Sequence, residues 1–135
     1  MSLPFGDLNW LAVVVAALGG VVFGLEYSSG LFRKVLEDVQ GVNVREVIKD
    51  PLFWILRLVV QVAAAIMLGL VFAAAGVSTV GGAIVWALLI GIGFIALHVV
   101  TDNHTLKKPF ILTVFYGVGR PLQLVVIAII LSVWP

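Results

Sequence analysis

The chain has 135 residues, 62% of them hydrophobic and 11% charged, with a net charge of +1 and a mean hydropathy of +1.21. Soluble domains carry about 45–50% apolar and about 25% charged residues, and a fold of this length has too little interior to bury the excess, so lipid is the predicted solvent for most of it. The near-neutral charge excludes an electrostatic footprint for nucleic acid, and the lack of cysteine excludes disulfides, thiolate metal sites and cysteine nucleophiles.

In chain order, Met1 to Leu8 carries no Lys or Arg ahead of the first apolar run. That run is long enough to span, so it reads as a retained helix rather than a signal peptide. A spanning helix needs about 20 mostly apolar residues, and four stretches qualify: Leu8–Tyr27, Leu52–Ala75, Val80–Val100 and Phe110–Trp134. The sequence therefore predicts an all-α fold: a single transmembrane domain over residues 1–135, built as a four-helix bundle. Between helices one and two, residues 28–50 form a polar surface segment. There Leu31, Phe32, Val35, Leu36 and Val39 share one face at helical spacing, with Arg33, Lys34, Glu37 and Asp38 elsewhere, which predicts a short amphipathic cytoplasmic helix. Asn43 followed by Glu46 reads as a capping pair for a second short helix up to Pro51. Only residues 76–79 separate helices two and three, which must form an antiparallel hairpin. Gly76 is the natural stop for helix two, with Ser78 or Thr79 as the cap of helix three. Pro51 and Pro109 fall at or just before the starts of helices two and four, where a missing N–H costs nothing.

Basic residues set orientation. Arg33, Lys34, Arg45 and Lys49 lie in the first loop and Lys107 and Lys108 in the third, whereas the termini and the second loop hold none. Both termini are predicted outside and both basic loops in the cytoplasm. Trp10, Trp86 and Trp134 then lie toward the outer interface, and Trp54 and Tyr27 toward the inner one.

Two arginines fall inside helices. Arg57 lies about 9 Å beyond Pro51 and Arg120 about 16 Å beyond Pro109, at 1.5 Å per residue. Such a charge costs about 2.5–3.5 kcal/mol on insertion scales and faces protein or water. Gln61 lies one turn from Arg57, and Tyr116, Arg120 and Gln123 form an i, i+4, i+7 stripe. Glu26 closes helix one and His98 closes helix three, so all of these are predicted to meet in the cytoplasmic half of the bundle, with Glu26 as counter-ion to an arginine. Gly117, Gly119 and Pro121 surround Arg120 and predict a kink. Kinked helices beside buried charge occur at transporter sites, but the same groups also serve simply to bond helices together. Gly20 and Gly24, four apart, permit close helix packing. His98, Asp102 and His104 are weak candidates for metal ligands, and neither a metal nor any cofactor is expected.

Asn9-Trp10-Leu11-Ala12-Val13 opens the first span, and Glu26-Tyr27-Ser28 continues to Leu31-Phe32-Arg33-Lys34; these runs give the chain a resemblance to the DUF1761 family of small bacterial membrane proteins. Trp86 through Gly93-Phe94, and a final apolar helix ending in Trp134, complete it. Glu26 stands where the family shows an aromatic residue and Ser29 where it shows proline. The resemblance implies the four-helix layout in a bacterial or archaeal cell membrane and supplies no catalytic residues.

No Ser/His/Asp set, nucleophile elbow, phosphate-binding loop or zinc-protease motif occurs, so no enzyme activity is expected. The leading expectation is a structural or accessory membrane subunit, homo-oligomeric or part of a larger complex, with the lipid bilayer as its constant partner. The alternative is a channel or small transporter for an anion or polar solute, using Arg120 and Arg57 in an inner vestibule.

Overall fold

The computed structural model describes residues 6, 8–39, 41 and 43–133, and within these the regular structure is entirely helical. Four helices are long and apolar enough to cross a membrane: Trp10–Gly30, Pro51–Ala75, Val80–Thr105 and Phe110–Val133. The third runs past Val100, where the sequence pattern ends it. Trp134, Gln40 and Val42 lie outside the described residues, as does the Leu31 side chain.

Helix α1 (Trp10–Leu25) opens on Asn9, whose side chain accepts from the Ala12 N–H at 3.2 Å. Its buried face is Ala12, Val13, Ala16, Ala17, Gly20 and Gly24, a stripe of small residues that lets neighbouring backbones approach. The helix then widens into a π-helical turn, Glu26–Leu31. A second wide turn, Val35–Val39, occupies the place of the regular amphipathic helix, with an Arg33–Glu37 ion pair at 2.9 Å across it. Helix α2 is a single turn, Val44–Val47, where Asn43 Oδ1 accepts from the Glu46 N–H at 3.4 Å.

Helix α3 (Pro51–Ala75) is capped by Asp50 and ends on Gly76, which takes the left-handed conformation (φ 70°) that glycine adopts without strain. Thr79 caps α4 (Val80–Ile90) by accepting from the Gly82 N–H at 3.0 Å. A π-helical turn, Gly91–Ala96, joins α4 to α5 (Leu97–Thr105) without a break in the helix. Helix α6 (Phe110–Val133) carries Pro121 in its interior.

Helix α6 packs against α1, α3, α4, α5 and the Gly91–Ala96 turn. The core it closes is built largely of alanine: Ala16, Ala17, Ala65, Ala83, Ala87 and Ala128, with Val13, Leu68, Phe72 and Ile127 filling between them. The wide turn at Gly91 also resets the face of the third helix. Ala83, Ala87 and Gly91 are buried, and so is Asn103 twelve residues on. Steps of four drift by about 40° in a straight α-helix, and the looser π-helical turn absorbs that drift. Gly91 itself lies against the α6 proline, where a Cβ would come within 2.7 Å of Pro121 Cα.

Candidate functional site

The small-residue stripe of α1, the first third of α3 and the middle of α6 converge beside the basic first loop. The pocket they enclose is about 90 Å³ in volume and is lined by Arg57 of α3, by Tyr116, Arg120 and Gln123 of α6, and by Tyr27 and Ser28. Leu36 of the surface segment closes one side. The volume accommodates several waters or one small solute.

Tyr27 and Gln123 are each held by an identifiable neighbour. The Tyr27 hydroxyl donates to the Phe115 carbonyl at 2.8 Å, and its ring stacks between Phe23 and Phe115. Gly119 has no side chain to obstruct that ring: a Cβ there would lie 2.8 Å from Tyr27 Cζ. Gln123 Nε2 donates to the Gly20 carbonyl at 2.8 Å, through the space that Gly24 leaves open. The Gln123 Oε1 faces the other way and accepts from Arg120 Nη1 at a long 3.4 Å.

The two guanidinium groups rest on aromatic rings rather than acids. Arg57 Cζ lies 4.4 Å from the Phe53 ring centre, and Arg120 Cζ lies 5.7 Å from that of Tyr116. Arg57 Nε is buried with no hydrogen-bond partner among the described residues. Among the described lining residues there is no Asp or Glu. Arg57 and Arg120 thus bring up to five N–H donors each, and no acceptor, into one pocket with no opposite charge on its wall.

The residues that the sequence groups together are only partly assembled. Arg57, Tyr116, Arg120 and Gln123 share the pocket, and Gly119 forms its floor. Gln61 is buried one turn beyond it, its Oε1 unpartnered among the described residues and directed at Gly20. Glu26 is exposed and pairs with neither arginine. Two residues past Gly24, it falls about 200° around the helix from the buried stripe. His98 is also exposed, because the wide turn at Gly91 rotates the residues after it relative to Ala83 and Ala87. Pro121 is buried against Gly91, whereas a Cβ at Gly117 would meet nothing within 4 Å. His98, Asp102 and His104 are all exposed on α5, and no metal-holding group of three or more His, Asp or Glu occurs among the described residues.

Phe23, Tyr27, Ser28, Leu36 and Phe115 are lining residues that the polar spacing misses. The signal for Tyr27 is its place three residues after Gly24 on the small-residue stripe, which aims its ring at α6.

A family model described as "Protein of unknown function (DUF1761)" matches residues 11–132. No curated protein and no solved structure matches the chain.

Proposed function

This chain belongs to the DUF1761 family, whose function is unknown, and we propose that it is a non-enzymatic membrane channel or transporter for a small anion or polar solute. In this reading the four long helices form a transmembrane bundle with both termini outside a bacterial or archaeal cell membrane. The basic first and third loops, including the short amphipathic segment, face the cytoplasm. The pocket is then a vestibule on the cytoplasmic side.

The observation that carries the reading is that Arg57 and Arg120 line one pocket with no acidic residue among its described lining. A charge within a membrane span is costly and is retained where it meets a partner or marks a solute path. Two like charges in one pocket are costlier still, and an anion from solution offsets both. The test is flux in proteoliposomes across a panel of small anions and polar solutes. Arg120→Gln should reduce the rate of the active solute about tenfold or more. Absence of flux for every solute, or equal flux through Arg120→Gln, contradicts the proposal.

A second reading, a structural or accessory subunit that is homo-oligomeric or part of a larger complex, is favoured by a different observation. The Tyr27 and Gln123 side chains both spend their donors on carbonyls of a neighbouring helix, which fastens helices together without any solute. Native mass spectrometry from mild detergent tests it: a strictly monomeric chain free of partners rules this reading out.

A further inference from the structure

The pocket chemistry narrows the class of anion. We propose that Arg57 and Arg120 jointly bind one doubly charged oxyanion of sulfate or phosphate type, an inference that rests on the vestibule reading and sharpens it.

A guanidinium is a flat fork of N–H donors that matches paired oxygens on a single centre, whereas a halide can meet it only as a point charge. Here two forks reach one cavity from separate helices, α3 and α6. Arg57 Nε is buried without a partner among the described residues, and the Arg120 contact to Gln123 is long at 3.4 Å. Both guanidinium groups therefore keep N–H donors that the described residues do not satisfy. Their two positive charges are balanced by a dianion and only half balanced by chloride. Ser28, which also lines the pocket, carries a further hydroxyl donor. The volume of about 90 Å³ between Phe23, Leu36 and Phe115 admits a compact tetrahedral group.

Such a group has two sources: a free dianion from the aqueous phase, or the phosphomonoester headgroup of a lipid such as phosphatidate. The full chain, purified in an uncharged detergent, is titrated with sulfate and separately with chloride at matched ionic strength, and binding is followed by calorimetry. Saturable sulfate binding is expected, about tenfold or more weaker in Arg57→Gln and in Arg120→Gln. Arg57→Lys and Arg120→Lys keep the charge but lose the fork, and should also weaken binding. Circular dichroism confirms that each variant is folded before titration. In the lipid arm, native mass spectrometry from phosphatidate-containing nanodiscs asks whether a retained lipid is displaced by sulfate and lost in the Gln variants. Arginine-dependent binding in either arm supports the site and identifies the source. Chloride competing as well as sulfate, or sulfate binding unchanged in both Gln variants, overturns it. No oxyanion binding in either arm, alongside Arg120-dependent flux of another solute, overturns this inference and leaves the broader vestibule standing.

Discussion

Gln123 of α6 donates its side-chain amide to the backbone carbonyl of Gly20 on α1, at 2.8 Å and in the buried part of the molecule. The bond ties the two helices beside the arginine pocket and orients the Gln123 oxygen toward Arg120. The fit depends on Gly24, since a Cβ there would come within 2.8 Å of Gln123 Nε2.

Replacing Gln123 with Leu retains the volume and removes both hydrogen bonds. Interhelical bonds of this kind in lipid contribute about 1 kcal/mol, so Gln123→Leu should lower unfolding stability by about that amount. Unfolding in detergent, followed by far-ultraviolet circular dichroism, measures it. A variant as stable as the parent contradicts a role for this bond in holding α1 to α6.

The packing of Tyr27 on Gly119 makes a coupled expectation. Gly119→Ala drives a methyl group into the Tyr27 ring and should cost about 1–3 kcal/mol through overpacking. Adding Tyr27→Ala removes the obstacle. The double variant should then be less destabilised than the sum of the single ones by about 1 kcal/mol or more. Strict additivity would mean that the two residues do not touch.

Gly91 and Gly93 should respond differently to the same substitution. Gly91 lies against the Pro121 backbone, whereas a Cβ at Gly93 meets nothing within 4 Å. Gly91→Ala should destabilise by about 1–3 kcal/mol, while Gly93→Ala should be neutral or stabilising, by up to about 1 kcal/mol of helix propensity. Thermal unfolding of the two variants side by side checks this.

Sidedness is open to a clean labelling test because the chain has no native cysteine. Under the proposed orientation, Ser78→Cys should react with a membrane-impermeant maleimide from outside intact cells, and Lys108→Cys only after lysis. The reverse pattern places the vestibule on the opposite side.

The four apolar spans are legible because helix length and hydropathy are additive along the sequence, and the short 76–79 connection leaves the chain no other route. Arg57, Arg120, Tyr116 and Gln123 are legible as a group for a similar reason, since three of them lie on one stripe of one helix. Glu26 and His98 are not placed by the same reasoning. Glu26 falls about 200° around the helix from Gly24 on ordinary α-helical spacing, and the wide turn at 91–96 rotates His98 away. Nothing in the hydropathy pattern marks a π-helical turn, which adds a residue to a turn without interrupting the apolar run. Tyr27 escapes for another reason. Its amphipathic ring is predicted at an interface, but the absence of side chains at Gly24 and Gly119 admits it between the helices.

Arg57 and Arg120 line one pocket with no acid on its described wall, and in the proposed function an anion balances them instead. The most direct measurement is the unfolding midpoint of the parent, Arg57→Gln and Arg120→Gln chains, each with and without saturating sulfate at constant ionic strength. Binding to the folded state at about 100 times Kd stabilises it by about 2.7 kcal/mol, so the parent midpoint should rise with sulfate. Both variants should match or exceed the parent without sulfate, having lost one of two like charges, and should gain about half as much or less from the anion, about 1.4 kcal/mol for tenfold weaker binding. A parent that does not respond, or variants that respond as fully as the parent, would contradict an anion-balanced pocket.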